Sequence, residues 1–303
     1  MTEARDMAKY LDPKADLTFK KVFGEHPNLV ASLLNSLLPL PDGEEIADIE
    51  YMSPERVPRT SIGKNSIVDV FCKTKDGRKF IVEMQMCWTA DFKDRALFNS
   101  AKVYVDQLEH AEDFSLLRPV YSLNLVDAIF EKDVPEFMHH YKVVHEKYTD
   151  KLIEGFHIVF VELPKFKPQS IAERKMAVLW LRFLTEINKT TEKVPDEFME
   201  SSEISQAVKL VEESAYTREQ LMGYDLFWDA VRVAKTLASA PERSYKVGLR
   251  EGKEAGLREG KEAGLREGKE KLLQTARNLK AMKLTTEQIA VATGLSAAEI
   301  EKL

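Results

Sequence analysis

The alternation of apolar and polar positions is sharpest over residues 66–85, SIVDVFCKTKDGRKFIVEMQ. Two runs of β-type residues flank a turn, and this pattern predicts two antiparallel strands. Each run carries an acid among apolar neighbours: Asp69 stands between Val68 and Val70, while Glu83 and Gln85 flank Met84. Side chains alternate between the two faces of a strand, so the loop length decides which acids meet. A two-residue loop at Asp76-Gly77 pairs Asp69 with Met84 and sends Glu83 to the other face. A three-residue loop, Lys75-Asp76-Gly77, pairs Thr74 with Arg78 and therefore Asp69 with Glu83, with Gln85 two places on. Gly77 in the last loop position suits the left-handed residue of the longer loop, which is the one predicted. A carboxylate in a half-buried strand is costly unless something pairs with it, and a divalent cation is a fitting partner.

Helical spacing surrounds this hairpin. Asp16 is placed to cap a helix from Leu17, with Phe19, Val22 and Phe23 as its apolar side. Asp16 and Lys20 share a face at i and i+4. After a break at residues 24–27, LVASLLNSLL predicts a second helix ending at Pro39. Residues 46–52 read as a strand. The loop over 53–65 holds Arg56, Arg59 and Lys64, either solvated or set against phosphate. Residues 91–109 predict a long helix whose inner stripe is Phe92, Ala96, Phe98, Ala101, Val105 and Leu108. Arg95 and Asn99 lie on another face, with Lys102 one turn further. Strands follow at 118–130, 141–145 and 156–163. His139, His140 and His145 lack zinc-site spacing, and Cys87 is a poor ligand for a hard cation. Beyond residue 170 the spacing is helical, with Trp180, Phe183 and Leu184 as core. Helices are predicted at 204–213 and 217–239, closed by Pro241.

The tail is repetitive. GLREGKEA begins at Gly248 and at Gly256, and GLREGKEK at Gly264. One i,i+4 column is glycine throughout, and another alternates Arg250, Glu254, Arg258, Glu262, Arg266 and Glu270. Such pairs contribute about 0.2–0.5 kcal/mol each, against roughly 1 kcal/mol lost per glycine relative to alanine. A marginal helix results, serving as a linker or as a homo-oligomer surface. The last segment, LTTEQIAVATGLSAAEIEKL, has two helix starts, with Ser296 and Glu299 forming a capping box. Its second helix offers Ala297, Ala298, Glu299 and Glu301, poor readers of base edges, so a docking tail is favoured over a sequence reader.

Charged residues make up 31% of the chain and the net charge is -6, an ordinary balance that neither requires nor excludes nucleic acid. Two cysteines cannot form a disulfide framework. No apolar run is long enough to cross a bilayer, and no secretory segment opens the chain. A cytoplasmic protein without membrane contact is expected.

Four segments in order, DLTFKKVFG (16–24), VDVFCKTKDGRKFIVEMQ (68–85), FKDRALFNSAKVYVDQL (92–108) and RPVYSLNLVD (118–127), resemble the recombination-promoting nuclease/putative transposase branch of the PD-(D/E)XK superfamily. The similarity continues more weakly through AVLWLRFL into the glycine-rich tail. The resemblance implies an α/β, restriction-endonuclease-like mixed sheet core flanked by helices, followed by a helical region and an extended helical tail. The expected division is a nuclease-like core over 1–165, a helical cap over 166–243, the repeat over 244–283 and a helix-turn-helix-like end over 284–303. It further implies Mg²⁺-dependent, or Mn²⁺-dependent, DNA cleavage in recombination. Asp69, Glu83 and Gln85 are then catalytic, and Asp69, Glu83 and the Met84 carbonyl hold the metal. Asp16, Lys20 and Arg95 support the site. Gln85 stands where the usual core has lysine and cannot act as a base. A non-catalytic DNA-binding protein and a self-association module are the alternatives.

Overall fold

The structure, a computed structural model, describes residues 10–53, 55, 56, 66–108, 112–168 and 175–303. It opens with helix α1 (Asp16–Phe19), which passes into a π-helical turn over Lys20–Gly24. Helix α2 follows (Pro27–Leu37), with proline at its start where the missing N–H costs nothing. The strands are β1 (Glu50–Tyr51), β2 (Glu55–Arg56), β3 (Ser66–Ile67), β4 (Val70–Lys73) and β5 (Lys79–Gln85). Helix α3 (Phe92–Val105) crosses over to β6 (Val120–Val126), and β7 (Met138–Val144) and β8 (Leu152–Glu162) complete the strands. Helices α4 (Lys175–Glu186), α5 (Asp196–Glu200), α6 (Ser202–Leu210), α7 (Arg218–Ala281), α8 (Thr286–Thr293) and α9 (Ala297–Glu301) follow.

Six strands form one mixed sheet in the order β1-β4-β5-β6-β8-β7, and β2 pairs with β3 separately. The centre is parallel, β5 on β6 and β6 on β8, and the two edges are antiparallel. All seven residues of β6 are buried, as a central strand covered on both faces requires. On one face Val70, Cys72, Phe80 and Val82 meet Phe19, Phe23, the leucines of α2 and Trp180 of α4. On the other, Phe71 and Ile81 pack with Val103 of α3, while Phe92 and Ala96 of the same helix meet Val126 and Phe160.

The hairpin has the register that the three-residue loop predicts. Val70 pairs with Val82 and Lys73 with Lys79, and Gly77 carries the positive φ of 88°. Other expectations shift. The strand expected at 46–52 shrinks to Glu50–Tyr51, because Asn35 donates to the Ile46 carbonyl (2.9 Å) and accepts its N–H (2.8 Å), standing in for a strand partner. The inward stripe of α3 is Phe92, Ala96, Ser100 and Val103, whereas Phe98 and Val105 are exposed. Ser100 tolerates burial because its hydroxyl donates to the Ala96 carbonyl at 2.8 Å. Arg59, Lys64 and most of their loop lie outside the described residues.

By its contacts the chain divides into two compact units, Met1–Ala238 and Ser239–Leu303, and the division falls within α7. The backbone of that helix does not stop at Pro241, although proline removes one helical hydrogen bond. In the second unit Ala276, Ile289, Leu295 and Ile300 form a small core joining the end of α7 to α8 and α9. Both short helices open on capping boxes, at Thr285 and at Ser296. The Arg250–Glu270 column does not close into ion pairs among the described residues. The pairs there are Lys271 with Glu267 and Lys269 with Glu299.

Gly77→Val forces a β-branched side chain into the left-handed region, which costs about 1–2 kcal/mol. Urea denaturation will show that loss against wild type. An unchanged midpoint contradicts the loop geometry.

Candidate active site

The site begins where the β4 ladder runs out. Extending the register one place beyond Val70 and Val82 sets Asp69 opposite Glu83. Asp69 sits in a bend rather than a strand, and its Oδ2 accepts the Met84 N–H at 2.7 Å. A side-chain carboxylate thus takes the place of the next backbone rung. A strand residue's N–H and C=O leave on the same edge, so the Met84 carbonyl faces the same side as the N–H that Asp69 accepts. Glu83 and Gln85 share parity with Ile81 and point to the face covered by α3.

Helix α3 supplies the next shell. Asn99 donates from Nδ2 to Glu83 Oε1 at 2.9 Å. Arg95, one turn earlier, donates to Gln85 Oε1 at 3.2 Å. Gln85 Nε2 in turn donates to the Cys87 carbonyl at 2.6 Å, so both ends of the amide are engaged. From the opposite layer, the Asp16–Lys20 pair (2.7 Å) joins the charges felt at Asp69, alongside Arg95. Asp16 does not cap its helix. Ala15 holds that position, and Asp16 lies in the first turn. The π-helical turn packs Gly24 against Val70, carrying this segment to the start of β4.

The geometry separates the sequence expectations. It brings Asp69, Glu83, the Met84 backbone, Gln85 and Arg95 together and sets Asp16 and Lys20 at the margin. Arg95 contacts Gln85, and the residue that holds Glu83 is Asn99. The sequence signal for Asn99 was its position one helical turn beyond Arg95. The histidines serve elsewhere: His139 binds the buried Glu162 (3.0 Å) and His140 faces His157 (3.3 Å).

Burial pushes both carboxyls up. Asp69 lies above the usual carboxylate range because desolvation outweighs its bond from the Met84 amide, with Asp16 adding repulsion. Glu83 is pushed up to about 7, first by burial and further by Asp69, against the opposing pull of Asn99 and Arg95. These donors suit a hard cation. They are all oxygen, one oxygen of each carboxylate remains beyond the hydrogen bonds above, and a dication would relieve the burial of two acids. Among the described residues no three His, Cys, Asp or Glu side chains converge on one cation position. A cation held here would draw on the two carboxylates and the Met84 carbonyl and complete its shell with water, an all-oxygen set of the kind Mg²⁺ accepts.

A mixed sheet with two hairpin carboxylates at the end of its ladder, and a polar amide two residues on, has the layout of a PD-(D/E)XK nuclease core. The chain belongs to the PD-(D/E)XK nuclease family transposases, whose family model matches residues 13–230. The octapeptide repeat and terminal helices lie beyond that match. No curated protein and no solved structure matches the chain.

The raised Glu83 carboxyl sets a sign for pH dependence. Below its unfolded value, 4.5, both states are protonated; above about 7 the folded state must bury a carboxylate. Metal-free protein therefore loses stability as pH rises through this window, by on the order of 3 kcal/mol from this group. Glu83→Gln removes that loss. Denaturation in EDTA will find it more stable than wild type at pH 8 and equal near pH 4.5. Equal stability at pH 8 contradicts the assignment.

Proposed function

We propose that the protein is a metal-dependent DNA endonuclease that breaks DNA during recombination in the cytoplasm. The observation that carries this reading is the meeting of Asp69 and Glu83 across the hairpin, beside the Met84 carbonyl. Those oxygens would hold Mg²⁺ or Mn²⁺, which when bound neutralises phosphate charge and acidifies water. Asn99 donates to one oxygen of the Glu83 carboxylate and so restrains its rotation. Gln85 carries no charge and takes no proton. Held between Cys87 and Arg95, it orients the guanidinium, whose other donors can grip a phosphate oxygen. Lys20 adds a second positive charge from the opposite layer. Because Gln85 cannot take it, the proton released by the attacking water passes to bulk water or to a phosphate oxygen.

The parts outside the sheet are assigned by the same reading. Residues 1–165 form the nuclease core and 166–243 a helical cap. The repeat over 244–283 and the end over 284–303 form a tail for docking or homo-oligomer formation. No described helix is long and apolar enough to cross a membrane.

A second reading, DNA binding without cleavage, draws support from Gln85, since the amide both lacks a charge and is tied at each end. Supercoiled plasmid discriminates. Nicking in Mg²⁺ or Mn²⁺ that EDTA abolishes, and that Asp69→Asn reduces by at least 100-fold while DNA binding persists, supports the nuclease. Binding with no nicking under any metal supports the second reading. Asn99→Ala lets the Glu83 carboxylate turn and will cut the nicking rate about tenfold or more, roughly the loss expected for an outer-shell partner.

A further inference from the structure

Helix α7 shows two unlike faces within the first unit. Tyr224 and Val231 are buried, and Leu221, Phe227 and Trp228 pack beside Leu11 and Tyr216. The outward face carries Met222, Leu226, Val233 and Leu237, exposed by 62%, 68%, 59% and 67%. At 100° per residue these four fall in one stripe about 60° wide. A stripe this narrow and this apolar is a helix-packing seam rather than scattered surface residues.

The stripe is also self-complementary. Met222 and Leu237 lie equally far from the peptide bond between Asp229 and Ala230, and so do Leu226 and Val233. A two-fold axis through that bond, perpendicular to the helix, lays Met222 on the partner's Leu237 and Leu226 on the partner's Val233. An interface of this kind is isologous and closes at two copies. The acid bordering the stripe, Asp229, sits at the axis, where two like charges would oppose assembly. Asp229 is already paired with Arg232 of its own helix, so the two-fold brings together two neutralised pairs and not two bare carboxylates. Ala230 beside it lets the backbones approach.

We propose that a second copy of this chain covers this face, through antiparallel packing of α7 about the Asp229–Ala230 bond. This surface is distinct from the glycine repeat and independent of any nuclease activity.

Sedimentation of the full-length protein, from low to high micromolar concentration, tests it. Wild type will reach the mass of a dimer. Leu226→Lys and Val233→Glu will each sediment as monomers with unchanged helical circular dichroism. An equimolar mixture of the two variants will recover the dimer, because the ammonium introduced in one copy then meets the carboxylate introduced in the other. Leu257→Lys, in the repeat, will leave the dimer intact. A monomeric wild type, single variants that still pair, a mixture that stays monomeric, or a dimer lost in Leu257→Lys would each overturn the proposal.

Discussion

The bond from the Met84 amide to Asp69 is the constraint on which the site depends. A strand at the end of its ladder leaves an N–H without a rung, and a buried N–H left unpaired costs about 1–3 kcal/mol. Asp69 fills that rung at 2.7 Å. In doing so it is held in a bend between β3 and β4, half out of solvent and level with Glu83. Backbone pairing therefore fixes one carboxylate, and strand parity delivers the other to the same face. No loop has to close around them.

The remaining polar groups follow from the cost of that arrangement. Two acids on one buried face repel, and burial raises both carboxyls. Helix α3 answers with an amide to Glu83 and a guanidinium beside Gln85, while Lys20 arrives from the other side of the sheet. None of these contacts neutralises the pair fully. A site poised in this way gains most from a ligand that carries concentrated positive charge, which links the fold's electrostatics to the chemistry of the family.

Much of this was legible in the residues because strand periodicity is strict. Gly77 selected the loop, the loop selected the register, and the register placed Asp69 with Glu83. Helix α3 was less legible. Its apolar residues lie on more than one face, and Phe98 competes with Ser100 for the inner position until the sheet decides. A buried serine looks unfavourable in sequence and becomes neutral once its hydroxyl bonds to the preceding turn. The short β1 was hidden for a similar reason, since the Asn35 side chain imitates a strand partner that no pattern reveals. Continuation of α7 past Pro241 was unreadable because proline usually marks a boundary.

Cation binding by the full-length protein tests the central claim most directly. Titration with Mn²⁺, followed by calorimetry and by electron paramagnetic resonance, should find one ion per chain that Mg²⁺ displaces. That ion should be lost in Asp69→Asn and in Glu83→Gln. An ion that binds both variants as tightly as wild type would contradict the account.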